Sequence, residues 1–135
     1  MKQITQEWLK SAESDFKLMD KIIGDADLTS QIAFHAQQAI EKLLKAILEE
    51  FEIIYPKTHS LKNLLARIPK DIIHISNDDL IILMEQLYID ARYPSALGLL
   101  PDGKPNIAEA QAFLFLATEI KNQIKIFFKV ENYNL

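Results

Sequence analysis

The chain has 135 residues, about half of them apolar, which is enough to bury one core without staples. It contains no cysteine, which excludes disulfides, thiolate metal sites and cysteine nucleophiles and makes a reducing compartment, the cytoplasm, the simplest expectation. A formal net charge of −4 argues against general DNA binding, and no run approaches the roughly 20 apolar residues of a membrane span, so no membrane partner is expected.

Residues 5–24 carry Trp8, Ala12, Phe16, Met19 and Ile23 at steps of three and four, which predicts an amphipathic helix ended by Gly24 and the turn-prone Asp25-Ala26-Asp27. Thr29 or Ser30 offers an N-cap oxygen for a second helix, striped by Ile40, Leu44, Ile47 and Phe51, that runs to about Tyr55 and is closed by Pro56. A shorter helix follows Thr58, with Leu61, Leu64, Leu65 and Ile68 as its buried side and Pro69 as its stop. Asn77 and Asp78 are caps for a fourth helix carrying Leu80, Leu83, Met84, Leu87 and Ala91, which ends at Arg92-Tyr93-Pro94. A fifth spans Ile107 to about Lys129, with Ile107, Ala110, Leu114, Ala117, Ile120, Ile124 and Phe127 on its apolar side. No stretch sustains period-two alternation. The expected fold is all-α, an up-and-down antiparallel bundle of four to five helices forming a single domain over 1–135. The connection from Tyr93 to Asn106 exceeds the usual ~2–8 residues of helix–helix links, and its Leu97, Leu99 and Leu100 are expected to cover a neighbouring helix or a partner.

On the second helix Phe34, Gln38, Glu41 and Lys45 recur at steps of four, three and four and therefore share one strip. Glu41 precedes Lys45 by four residues, the favourable order for an ion pair. Taken alone, the strip is an exposed pair on a wet helix face, contributing a few tenths of a kcal/mol. Metal and cofactor chemistries find no support: no Glu stands three residues before any of the three histidines, as a ferritin-like di-metal site needs, and the three glycines form no phosphate-binding loop. No metal and no cofactor are expected.

The stretch FHAQQAIEKLLKAILEE, followed by YPKTHSLKNLL and by LYIDARYP, resembles the HEPN family of compact helical domains. The matching positions begin with Trp8 and Ala12, include Phe34, Gln38, Ala39, Glu41, Lys42, Lys45 and Ala46, and continue through His59, Leu61, Leu64, Arg92, Tyr93 and Pro94. The resemblance implies an antiparallel bundle that pairs into a homodimer, with a groove near the pairing surface for a nucleotide or an RNA phosphate. It also implies a separately encoded minimal nucleotidyltransferase as partner, as in toxin–antitoxin pairs. Gln38, Glu41, Lys45, His59, Arg92 and Tyr93 are the residues it assigns to the groove.

Some branches of that family are metal-independent ribonucleases with an Arg, four to six intervening residues and a His. Here Arg92 takes the place of the arginine, but no histidine occurs after His74, so the motif is not intact and a non-catalytic binding module is expected. Arg67 and His74 match the bare spacing, yet Pro69 interrupts it and the pair falls too early in the chain. The rival expectation is a ribonuclease using Arg92 with His59 as a non-standard proton carrier; a structural His59, bonded to backbone near a helix start, is the plainer one. A third is modification of Tyr93 or Tyr88 by the nucleotidyltransferase. His35 shows no partner by spacing and is expected to be solvated or at an interface.

Overall fold

A computed structural model describes residues 1–75, 77–92 and 104–130, except for the side chains of 88–92 and 130. The described residues form α1 (Gln3–Ile22), a short 3₁₀ turn (Ala26–Leu28), α2 (Thr29–Glu50), α3 (Leu61–Leu65), α4 (Asp78–Arg92) and α5 (Ile107–Val130), with no strand among them. They make the expected antiparallel bundle. Leu97, Leu99 and Leu100 lie outside the described residues.

The core is organised around α2, which packs against α1, α3, α4 and α5. From Ala39 to Leu48 every residue of α2 except Lys42 is buried, so this helix is enclosed nearly all round, where an ordinary surface helix buries one stripe. Phe16 and Met19 of α1, Leu61 and Leu64 of α3, Ile81 and Met84 of α4, and Phe113, Ile120 and Phe128 of α5 close on it.

Side chains from neighbouring helices supply or reinforce the caps of two helix starts. No side chain of Lys2 caps α1; instead the Glu50 carboxylate of α2 accepts from Lys2 N and from Thr5 Oγ1, both at 2.9 Å. Ser60 Oγ accepts from Asn63 N at the start of α3, and Glu85 of α4 accepts from the N–H groups of Leu61 and Lys62. A carboxylate at a helix N-terminus satisfies orphan donors and meets the positive end of the helix dipole. Asn77 caps α4 through Leu80 N, as expected, and Asn106 with Glu109 forms a reciprocal capping box on α5, at 2.7 and 3.0 Å.

Several boundaries and faces differ from expectation. The second helix needs no cap from Thr29 or Ser30, because the 3₁₀ turn, itself capped by Asp25, runs directly into it and Thr29 is buried. It ends at Glu50, five residues short of Tyr55. Ile53 N bonds back to Leu48 O and Glu52 N to Glu49 O, the paired reversals of a Schellman turn, and Glu52 takes the left-handed φ of 56° that glycine usually supplies there. The third helix is a little over one turn, not a run to Ile68. On α4 Ile81 is buried along with Met84 and Leu87, whereas Leu83 is exposed. On α5 the buried face is shifted to include Phe113, Leu116 and Phe128, with Leu114 and Phe127 only partly covered.

Glu52 carries a backbone penalty that its exposed ion pair with Lys2 (2.7 Å) offsets only weakly. Glu52→Gly is expected to stabilise the fold by about 0.5–1 kcal/mol, since glycine occupies that region without a Cβ clash. A urea midpoint unchanged or lowered at constant slope would show that the turn is unstrained.

Candidate functional site

Glu41 is only 5 % exposed and Lys45 only 8 %, so the pair is not on a wet face. The expectation of a solvated strip fails because α2 is the central helix, and the segment leading into α3 lies over this side of it. Glu41 Oε1 accepts from His59 Nδ1 at 2.7 Å, and its Oε2 lies 3.7 Å from Lys45 Nζ. The Lys45 ammonium in turn sits 5.3 Å from the centre of the Trp8 ring on α1. A buried carboxylate is tolerated only when cations or donors replace its water, and here one arrives from each side.

His59 is held twice. Its backbone carbonyl accepts from the buried Gln37 Nε2 at 2.9 Å, while its ring, with the side chain 56 % exposed, is oriented through Nδ1 by Glu41. A proton on Nδ1 follows from the acceptor it faces, and it fixes Nε2 as the basic nitrogen. The plainer expectation, an imidazole bonded to backbone, is corrected in its partner: the ring meets the Glu41 carboxylate, and it is the His59 carbonyl that anchors the backbone near the start of α3.

A second cluster of the same composition lies further toward the start of α2. Asp15 of α1, 6 % exposed, accepts from His35 Nδ1 and from Lys42 Nζ, each at 2.8 Å. His35 is therefore paired and part-buried, where the sequence spacing showed no partner and a solvated or interface histidine was expected. Gln38, partly buried, stands three residues from both His35 and Glu41 and so lies between the two clusters on the helix. The sequence reading missed Asp15 and Gln37. The spacing of His35 and Lys42, seven residues apart on one helix face, was the available signal for a shared partner.

The structure brings Glu41, Lys45 and His59 together, with Gln38 on the same helix side. α4 ends at Arg92, but the Arg92 side chain lies outside the described residues, as do Tyr93 and the side chain of Tyr88. Arg67, whose spacing to His74 imitates the nuclease motif, has its guanidinium occupied by Asn63 Oδ1 and by the Ile54 carbonyl. No group of three or more potential metal ligands occurs among the described residues.

Lys45 and Trp8 also line a cleft of about 720 Å³ with Lys2, Glu49, Tyr55 and Lys57. Tyr55 donates to Glu49 Oε1 at 2.6 Å, and burial first, then that carboxylate, push its phenol well above the ordinary value of 10.0.

The HEPN domain profile matches residues 5–127 of this chain. The chain belongs to the HEPN family. A crystal structure of TT1696 from Thermus thermophilus superposes with a TM-score of 0.69 at 28 % identity, covering 90 % of this chain and 95 % of that one. Comparison with curated proteins returned no match. Among the described residues of this HEPN chain, no helix is long and apolar enough to cross a membrane.

Two outcomes follow from this geometry. Glu41→Ala strands the buried Lys45 and is expected to cost about 3 kcal/mol, whereas Glu41→Leu combined with Lys45→Met removes both charges and costs less than the single change; urea unfolding of the set measures this, and equal losses would mean that the pair is solvated. For Tyr55, a folded pKa above the unfolded one means its contribution is fully present below about pH 10 and is lost as pH rises beyond it. Tyr55→Phe should therefore flatten the decline of stability between neutral and strongly alkaline pH.

Proposed function

We propose that this HEPN chain is a binding module, acting as one unit in the cytoplasm. It pairs with a second copy and with a separately encoded minimal nucleotidyltransferase, and it offers a groove to a nucleotide or an RNA phosphate. The observation that carries this reading is the site of Lys45: an ammonium held by Glu41, laid beside the Trp8 ring, and lining an open cleft with Lys2 and Lys57. A buried lysine with one carboxylate partner and an aromatic neighbour is pre-oriented toward an anion, and an indole or phenol beside it suits a base. Gln38, Arg92 and Tyr93 complete the groove in this reading.

Trp8 is the sole tryptophan and so reports on the cleft directly. Titration with ATP and with a short single-stranded RNA is expected to change its fluorescence saturably, and Lys45→Gln and the exposed Lys57→Gln should each weaken the response. No saturable change with either probe in the folded protein removes the groove from the proposal. Light scattering then tests pairing, where a strict monomer counts against it. Co-expression and co-purification with a minimal nucleotidyltransferase tests the partner.

The second reading, a metal-independent ribonuclease, is favoured by the Glu41–His59 pair, in which a buried carboxylate holds an imidazole whose side chain is more than half exposed. Such an imidazole can move a proton at a 2′-hydroxyl or leaving oxygen, with Arg92 as the charge stabiliser. Cleavage of RNA in EDTA that is lost in both His59→Ala and Arg92→Ala, with the fold retained, would establish it. Intact RNA across varied substrates leaves the binding module.

A further inference from the structure

α4 and α5 both pack on α2, and a groove of about 490 Å³ lies between the start of α4 and the stretch of α5 from Ala108 to Glu119. Ala108, Ala112, Phe115 and Glu119 recur at steps of four, three and four, so one strip of α5 lines it over about three turns, roughly 16 Å. Leu80 of α4 lines the facing wall, and Leu83, three residues on, extends that flank. The strip is accessible: Phe115 is 66 % exposed and Leu83 38 %, Ala108 is exposed, and Leu80 and Ala112 are partly so. A lone exposed phenylalanine needs no explanation, but an apolar strip with a matching wall marks an interaction site.

Both helices are acidic here. Residues 77–87 and 105–120 hold five acids and no Lys, Arg or His. The nearest cations in sequence on α5 and before it are turned elsewhere, Lys104 to Asp27 and Lys121 to the Phe16 ring. Glu85 is engaged at the start of α3 and Glu109 at its own cap, whereas among the described residues Asp78, Asp79 and Glu119 have no ion pair. Asp78 and Asp79 suit the positive end of the α4 dipole. Glu119 has no such reason: it is partly buried in the middle of α5, and no cation stands three or four residues from it.

We propose that this groove docks an amphipathic helix of a partner protein, apolar on the face that enters and basic on its flanks, with an arginine at Phe115 and Glu119. A guanidinium lies flat on the exposed ring and meets the carboxylate one turn away through paired N–H groups, a geometry that lysine lacks. The apolar face covers Leu80, Leu83 and Ala112, and the small side chains at Ala108 and Ala112 let the incoming backbone come close. Anchors at i, i+3 or i+4, and i+7 match a strip of this length. A small organic cation would satisfy Phe115 and Glu119 but leave most of the strip in water, and an acidic helix is repelled by the walls. The groove is separate from the Trp8 cleft and does not depend on the function proposed there.

The test is a fluorescence-anisotropy titration of a labelled helix-forming peptide of about 15 residues with the intact chain, the peptide carrying Leu at i, i+3, i+4 and i+7 and Arg on both flanks. Versions with Lys or Glu in place of Arg are the controls. The Arg peptide is expected to bind saturably, the Lys peptide more weakly and the Glu peptide not at all, with methyl NMR shifts from the Arg peptide at Leu80, Leu83 and Ala112. Glu119→Gln is expected to weaken the Arg peptide about five- to tenfold and remove its advantage over the Lys peptide, and Phe115→Ala to weaken it at least as much. Thermal melting checks the fold of each variant, and Ala108→Gln, which fills an exposed part of the groove, serves if either is unfolded. Equal binding of the Arg and Glu peptides, or shifts confined to residues outside the groove, would overturn the proposal. So would the absence of saturable binding, or light scattering that shows a dimer dissolved by Phe115→Ala, since the groove then belongs to a second copy.

Discussion

The arrangement of this molecule depends on a carboxylate that cannot remain hydrated. Glu41 sits on the one helix that every other helix packs against, so forming the core removes its water. An ionised carboxylate in such a place needs a compensating cation or donor beside each oxygen. Lys45 supplies one from the same helix, and His59 supplies the other from the chain leading into α3. The demand of a single buried charge thereby fixes where that segment lies and which ring nitrogen of His59 carries its proton. Gln37, by holding the His59 carbonyl, makes the same segment a matter of backbone as well as of side chain.

The same solution is used twice along α2. Asp15 with His35 and Lys42 repeats the composition of Glu41 with His59 and Lys45, one buried acid facing one imidazole and one ammonium. Each cluster is neutral overall when its imidazole is neutral, so the polar row has no strong field of its own. What it offers a ligand is oriented hydrogen-bonding groups on rigid elements, with the Trp8 ring beside them.

The helices were legible in the sequence because their apolar residues keep the 3.6 period and because Asn77, Gly24 and the prolines punctuate them. The pairing of Glu41 with Lys45 was legible too, being local. Its burial was not, since that is set by residues 18 to 22 positions away, His59 reaching Glu41 and Gln37 reaching the His59 carbonyl. Asp15 was hidden for the same reason: on α1 it is one more charge, and its two partners lie 20 and 27 residues later. The end of α2 was misplaced because Glu52 adopts a conformation whose usual signal is glycine. The shifted face of α5 reflects packing, as Phe113 and Phe128 are buried where the period alone favoured Leu114 and Phe127.

Placing polar clusters on the most buried helix has a consequence for how such a site behaves. A group on a surface loop adapts to a ligand by moving, at little cost to the core. For Lys45 and Glu41 such movement is costly, because the residues around them from Ala39 to Leu48 are almost all inside. A ligand that drew the Lys45 ammonium outward would weaken its contact with Glu41 and leave that carboxylate to His59, so the binding proposed at the Trp8 cleft would be coupled to the strength of the His59 contact. Such a coupling would be reciprocal: whatever strengthened the bond from His59 to Glu41 would loosen the hold of Glu41 on Lys45. The loop histidine and the cleft lysine are in this way two ends of one electrostatic link through a buried carboxylate.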